Sequence, residues 1–288
     1  MTHMNISIVI PAHNEAGTIG GIIAEVRQIV PDAEIIVVDD ASTDGTATVA
    51  REAGARVISH PYNIGNGAAV KTGIRAATGD TIVLMDGDGQ HNPADIPLLL
   101  AAAQTHDMVV AARDPRTHAN VFRRYANACY NLLASYVTQV RIKDLTSGFR
   151  VVQRQVILRY LYLLPNTFSY PTTITLAYLR SGRSIAYVPT YARQRKGMSK
   201  IRPLHDGVNF FLIIIKIATL FSPLLVFLPI SFFFFITGIA YYLYTYVVMH
   251  RFTNMSALLI ITSVVLFMMG LISEQITQLR YDRIENGG

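Results

Sequence analysis

The sequence predicts an α/β fold, a mainly parallel sheet with helices on both faces, followed by an apolar C-terminal anchor. Two observations carry the prediction. Through the first half, short β-branched runs alternate with stretches of helical period, the mark of strand–helix–strand units. Past Arg202 the composition changes: between Val208 and Ser273, Lys216, His250 and Arg251 are almost the only residues that bear charge. The 288 residues leave room for one domain of about 200 residues plus this appendage.

In order, Ile6–Ile10, Glu34–Val38, Arg56–Ile58, Thr81–Met85 and Met108–Ala111 read as strands, apolar enough to be buried on both faces. Between them, Ala16–Ile29, Thr46–Ala53, Ala68–Ala77 and Ala94–Ala103 read as helices. Asp44 is placed to cap the second, and Pro93 suits the first turn of the fourth. Such a sheet binds ligands beyond the carboxyl ends of its strands. Polar segments stand at three of those ends: Pro11-Ala-His13-Asn14-Glu15, Asp39-Asp40-Ala-Ser42-Thr-Asp44-Gly45-Thr46 and Asp86-Gly-Asp88-Gly-Gln90. In the last, two carboxylates at i and i+2 on a glycine-loosened turn can hold one hard divalent cation, Mg²⁺ or Mn²⁺, with room for a phosphate. Asp and Gly also make plain reversals, but three carboxylate-bearing segments on one rim favour a ligand site.

Other classes are demoted. The formal charge of +6 does not describe a nucleic-acid face, because Arg193, Arg195, Lys196, Lys200 and Arg202 cluster directly before the apolar tail. A juxtamembrane cluster of this kind attracts anionic headgroups at roughly 1 kcal/mol per residue and marks the cytoplasmic side. The single Cys129 excludes an intrachain disulfide and fits a reducing compartment. No signal peptide is expected before Ile6. There is no G-x-x-x-x-G-K-[ST], and Asn63-Ile-Gly65-Asn-Gly67 lacks the third glycine of a dinucleotide fingerprint.

Together, Pro11-x-x-Asn14-Glu15, Asp39-Asp40-x-Ser42-x-Asp44-Gly45-Thr46, Asn63-x-Gly65-x-Gly67, Asp86-x-Asp88-x-Gln90-His91, Asp144-x-Thr146-Ser147-Gly148-Phe149-Arg150 and Lys196-Gly197-x-Ser199-Lys200 resemble the family 2 glycosyltransferases of GT-A fold. The likeness is nearest to the branch that makes polyprenyl- and dolichyl-phosphate sugars. It implies that Pro11, His13, Glu15, Val38, Asp39 and Asp40 line a nucleoside pocket, His13 standing where a tyrosine is often found. Asp86, Asp88 and Gln90 become the metal and diphosphate site, with Asp86 also touching the nucleotide. Arg113 falls near the sugar or diphosphate, or is a surface arginine. Ser147 and Arg150 bind the acceptor phosphate, assisted by Lys143 or Arg124; alternatively Arg150 pairs with Asp144 and fixes the loop. Arg195, Ser199 and Lys200 cover the diphosphate. Asp86, Asp88 and Arg150 are the expected catalytic residues.

The expected reaction is a single inverting transfer of a hexose-type sugar from a UDP- or GDP-sugar to polyprenyl phosphate. A lipid monophosphate is already anionic, so cationic positioning groups suffice and no general base is required. Val121–Val137 and His205–Ser222 suit helices lying in the membrane interface, although a core helix also fits the first. Two spans follow, Leu224–Met249 with Pro229 inside and Met255–Ser273. The expected organisation is a cytoplasmic catalytic domain over 1–202, an interfacial helix over 203–222 and a two-span anchor over 223–288, as a dimer or tetramer. Rivals are a processive polysaccharide synthase, which the absence of tryptophan opposes, transfer to a lipid hydroxyl with Asp144 as base, and a sugar-nucleotide-binding protein without turnover.

Overall fold

The structure is a computed structural model that describes residues 5–113, 131–132, 134–136, 138–166, 170–191, 193, 218–219 and 222–285, with side chains to Leu279. The chain divides into two compact units, Met1–Ser135 with Val140–Ile201, and Tyr136–Gln139 with Arg202–Gly288.

The first unit is built on one seven-stranded sheet. Its strands are β1 (Ile6–Ala12), β2 (Glu34–Asp39), β3 (Arg56–Ser59), β4 (Thr81–Leu84), β5 (Met108–Arg113), β6 (Arg150–Gln153) and β7 (Ile185–Thr190), in the order β3-β2-β1-β4-β6-β5-β7. Only β6 runs against the rest: it pairs antiparallel with β4 and β5, Leu84 and Val110 both facing Arg150. All other pairs are parallel, so six strands end on the same rim.

Helices α1 (Ile19–Ile29), α2 (Thr46–Glu52), α3 (Asn66–Ala76), α4 (Ile96–Ala102), α5 (Arg154–Tyr160) and α6 (Tyr170–Arg180) complete the unit. Alternation along the strands divides the core in two. Ile8, Ile10, Ile35, Val37, Val83, Val109 and Val151 pack with Ile19, Ile23 and Val26 of α1 and Ile96 and Leu99 of α4. On the other face α3 approaches closely because Gly73 has no side chain; a Cβ there would lie 3.3 Å from Val38 Cγ2 and closer to Val9. Each fully buried aliphatic side chain contributes about 1.5–3 kcal/mol.

Two strands were not expected. β6 is four residues long and opens with an arginine, and β7 carries Pro189. A proline is tolerated in β7 because it is an edge strand, paired only with β5. Helix starts also moved: α1 begins at Ile19 because Glu15 O accepts from Thr18 N and Ile19 N in a preceding turn. Asp44 bonds the Thr46 amide at 3.0 Å, but Gly45 occupies the cap position.

Among the described residues of the second unit, two helices are long and apolar enough to cross a membrane, α7 (Pro223–Met249) and α8 (Asn254–Glu285). α7 runs through Pro229 and ends on His250, whose left-handed backbone bonds Tyr246 O at 3.0 Å. The residues buried between the helices are small and fall every seventh position: Ser231, Gly238 and Thr245 on α7, and Ser256, Ser263, Gly270 and Thr277 on α8. A Cβ on Gly238 would meet Ile260 Cγ1 at 2.9 Å, and one on Gly270 would meet Phe227 Cβ at 2.8 Å. Ser231 Oγ donates to Ser263 O at 2.8 Å, and Glu274 accepts from Leu224 N at 3.2 Å. Strict seven-residue spacing of small residues is that of closely packed, left-handed helix pairs. Most of the expected interfacial helices, 121–137 and 205–222, lies outside the described residues; of the first, Leu132 and Tyr136 are exposed.

Candidate active site

The carboxyl-end rim is assembled by clasps between loops. After β1, Asn14 takes a left-handed backbone (φ 58°), and after β2 so does Ala41 (φ 57°), a conformation costly for alanine. The two loops exchange bonds: Asn14 N donates to Ser42 Oγ at 2.9 Å, Thr43 N donates to Asn14 Oδ1 at 2.8 Å, and Glu15 N donates to Thr46 Oγ1 at 2.9 Å. His13 Nδ1 donates to Asp40 O at 2.9 Å, leaving Nε2 to accept from Asn63 Nδ2 at 3.3 Å.

Asp40 is buried and holds the loop after β3. Its Oδ1 accepts from His60 Nδ1 at 2.7 Å and Ile64 N at 3.0 Å, and its Oδ2 from Gly65 N at 2.8 Å. Burial disfavours the charged form, but His60 and the two amides outweigh it and hold Asp40 below the usual carboxylate range. His60 Nε2 lies 2.9 Å from Thr72 Oγ1, tying the same network to α3. Asp39, also buried, accepts from Ser42 N at 3.2 Å. The expected nucleoside-pocket residues Pro11, His13, Glu15, Val38, Asp39 and Asp40 are thus gathered at adjacent ends of β1 and β2.

The Asp86–Gln90 turn follows β4. Gly89 has φ +75°, and Asp88 Oδ1 accepts from Gln90 N at 3.0 Å. Thr18 Oγ1 donates to Gly87 O at 2.9 Å, which fixes the turn to the start of α1. Asp86 Oδ2 lies 3.2 Å from His91 Nε2, and His91 packs on Phe149 with ring centroids 5.1 Å apart. Desolvation raises the pKa of Asp86, but the hydrogen bond and charge of His91, the charge of Arg113 and a bond from Asn66 bring it below the ordinary value. The side chain keeps 31% exposure, so an ionised oxygen-donor group remains open to a ligand.

Against Asp86 lies the loop before β6. A Cβ on Gly148 would stand 2.9 Å from Asp86 Cγ and closer still to Oδ2, so only glycine permits this approach. Asp144 organises the loop: Oδ1 accepts from Thr146 N at 2.9 Å and Ser147 N at 3.0 Å, while Oδ2 accepts from Arg113 Nε at 3.0 Å. Arg113 Nη2 also donates to Thr146 Oγ1 at 2.6 Å. Burial opposes the charge of Asp144, yet the Arg113 bond and charge depress its pKa; Arg113 in turn is raised by Asp144 and by the charges of Asp86 and Asp88. Arg113 is therefore no free surface arginine but a cation braced beside the turn.

Arg150 requires a correction. Expected at the acceptor phosphate and in catalysis, it is wholly buried, with its donors committed inside the protein. Nε bonds Ser147 O at 2.7 Å, Nη2 bonds Leu145 O at 3.1 Å, and Nη1 bonds Thr175 Oγ1 at 2.6 Å. It fixes the loop, as the alternative held, but through carbonyls; the partner of Asp144 is Arg113. Ser147 is also buried, its Oγ without a hydrogen-bond partner among the described residues. Lys143 is exposed, its carbonyl bonded by Asn131 Nδ2 at 2.9 Å. Arg124, Arg195 and Lys200 lie outside the described residues. Among the described residues no three His, Cys, Asp or Glu side chains cluster as a ready metal cage.

Sequence alone gives no role to His60, Thr18 or Asn66, and points to His91 only within its motif. His91 directly follows the Asp86–Gln90 turn, a usable signal; the others act across elements distant in sequence and left none.

The fold is shared with known proteins. Residues 7–161 match the Glycosyl transferase family 2, and residues 222–279 match the GtrB C-terminal hairpin. The chain belongs to glycosyl transferase family 2. It is 30% identical to glycosyltransferase AglJ of Haloferax volcanii over 83% of this chain and 80% of that protein. It is 28% identical to an undecaprenyl-phosphate mannosyltransferase of Micrococcus luteus, over 69% and 88%. With an undecaprenyl-phosphate 4-deoxy-4-formamido-L-arabinose transferase of Pseudomonas fluorescens it shares 30% identity over 58% of this chain, spanning about half (55%) of that relative. Among solved structures, glucosyl-3-phosphoglycerate synthase from Mycobacterium tuberculosis, in complex with Mn²⁺, UDP-glucose and glycerol 3-phosphate, aligns with TM-score 0.59 and 26% identity over 75% of this chain and 79% of that one.

Proposed function

We propose that the chain transfers a hexose-type sugar from a nucleotide-diphosphate sugar to polyprenyl phosphate, with inversion, at the cytoplasmic membrane face. The observation that carries this reading is the closure of the Asp144–Phe149 loop on Asp86, which sets a cation, Arg113, beside the donor-turn carboxylates. Relatives named as undecaprenyl-phosphate sugar transferases, the hairpin match and two span-length helices support a lipid-linked acceptor.

The donor set suits a hard divalent cation. Asp86 is ionised and partly open, Asp88 lies two residues on, and Mg²⁺ or Mn²⁺ needs few protein ligands when phosphate oxygens complete its shell. Asp86 and Asp88, with Gln90, would hold the ion, which when bound stabilises the departing diphosphate as a Lewis acid. Arg113 adds a fixed positive charge at the same place, already oriented by Asp144. His13 and Glu15 present the nucleoside end, on loops that the buried Asp39 and Asp40 hold from inside. Acceptor-phosphate binding passes to Lys143 and Arg124, because Arg150 is spent inside the loop, with Arg195 and Lys200 toward the diphosphate.

Asp144 speaks against transfer to a lipid hydroxyl. That reaction needs a base, and both oxygens of Asp144 already accept bonds from Arg113, Thr146 and Ser147. An anionic acceptor needs none. The test is incubation of purified protein with undecaprenyl phosphate and a panel of UDP- and GDP-sugars, with Mn²⁺, Mg²⁺ or EDTA. The expected result is a metal-dependent polyprenyl-monophosphate sugar of inverted anomeric configuration. Retained configuration, or transfer only to neutral lipid alcohols, overturns the reading.

A further inference from the structure

We propose that Arg193 is a positioning residue for the Asp86–Gln90 turn, anchored by Glu25 of α1; the inference rests on the donor reading above. Arg193 stands three residues beyond β7, which lies three strands from β4 in the sheet. At 4.7–4.9 Å per strand spacing, that is roughly 14 Å across the rim. The chain nevertheless returns to the turn, where Arg193 N donates to Gln90 O at 2.8 Å.

Its side chain then ties three elements at one point. Nη2 donates to Asn92 Oδ1 at 2.6 Å, and Nη1 lies 2.9 and 3.1 Å from the two carboxylate oxygens of Glu25. Asn92 in turn caps the short 3₁₀ turn Pro93–Asp95, its Oδ1 accepting from Ala94 N at 3.3 Å. The near side of the turn is held by Thr18 through Gly87 O, and its far side by Glu25 through Arg193. Helix α1 thus grips both flanks of the segment that carries Asp86 and Asp88. A planar guanidinium suits this task because it serves several acceptors in fixed directions, which an ammonium cannot.

The burial of the pair separates positioning from stability. The Arg193 and Glu25 side chains are 46% and 43% exposed. Ion pairs so exposed add little to folding, whereas displacing a substrate-holding element by about 1 Å costs on the order of a hundredfold in rate. Loss of Arg193 is therefore expected in kinetics and local order rather than in global melting.

The experiment uses the full-length protein in detergent, with UDP-glucose and GDP-mannose as donors and undecaprenyl phosphate as acceptor. In Arg193→Ala, kcat/KM for the donor should fall about ten- to a hundredfold, with acceptor KM within about twofold and the melting midpoint within about 3 °C. Glu25→Ala should act in the same direction, and the double variant should be no worse than Arg193→Ala alone, since both break one contact. Arg193→Lys should recover only part of the loss. Hydrogen exchange over 86–92 should accelerate about fivefold or more in Arg193→Ala, with β1 unchanged. Should Arg193→Ala fail to fold, Glu25→Ala, which leaves Arg193 with its bonds to Gln90 and Asn92, decides the matter on the same readouts. Wild-type donor kinetics, fully additive losses, or unchanged exchange over 86–92 overturns the proposal. If the wild type turns over no donor but the exchange change is present, the donor reading fails while the role of Arg193 in holding the turn stands.

Discussion

Replacing Gly148 by alanine tests the contact on which the proposed chemistry depends. The added Cβ would stand 2.9 Å from Asp86 Cγ and Oδ1 and closer to Oδ2, against an ordinary contact of 3.4 Å or more. Either Asp86 or the loop must move by about half an ångström or more. The loop cannot easily yield, because Ser147 O and Leu145 O are bonded to the buried Arg150 and the Thr146 and Ser147 amides to Asp144. Asp86 must therefore turn away from His91, whose Nε2 is 3.2 Å distant. Overpacking of this kind costs about 1–3 kcal/mol of stability, and displacement of a donor-holding carboxylate costs about a hundredfold in kcat/KM. Thermal melting and steady-state transfer measured on the same preparation check both numbers. A Gly148→Ala enzyme with wild-type kcat/KM would show that the approach of the loop to Asp86 has no part in catalysis.

Asp144→Asn keeps the shape but loses the charge facing Arg113; it should destabilise the first unit by about 1–3 kcal/mol in denaturant titration, and unaltered stability would contradict the bracing role. Asp40 and Asp144 have folded pKa values below the ordinary 3.8, so their stabilisation is present above that value and is lost as pH falls through the lower folded values. Melting curves should therefore be flat near neutrality and decline below about pH 4, with the Asp144→Asn variant declining less steeply. Tyr187 has an OH that is buried without a hydrogen-bond partner among the described residues, and burial pushes its pKa up to about 12. Tyr187→Phe should leave stability at pH 7 unchanged or raised by about 1 kcal/mol. It should also remove a loss that the wild type suffers as pH rises from about 10 through 12, measurable by alkaline denaturation.

Much of the catalytic unit was legible because its strands are β-branched and bounded by turn residues; β1, β2, β4 and β5 each announce themselves. The rim followed, since the carboxyl ends of parallel strands fall together whatever the helices do. β6 was lost because its Arg150 closes the Asp144–Phe149 motif, so the segment reads as a ligand loop, and β7 because an edge strand with proline carries little pattern of its own. The same limit explains Arg150. Position after Thr146-Ser-Gly-Phe marks it as important, but a sequence does not show that Thr175 of α6 lies over it, turning a phosphate-binding candidate into an internal brace. The small residues of the hairpin were legible in principle, at a seven-residue period over Ser231, Gly238 and Thr245, but they are diluted among bulky apolar neighbours.

That hairpin seam has a mechanical consequence. Its small residues are consumed inside, so α7 and α8 are joined along their length and cannot splay without opening voids at Gly238 and Gly270. The 27 residues of α7 extend about 40 Å, while the hydrocarbon of a bilayer is about 30 Å thick. Inclining the pair together, as one strut, is a way to take up that excess. Membranes of different thickness would then register as a change of a single angle, not as a change in the spacing of two helices.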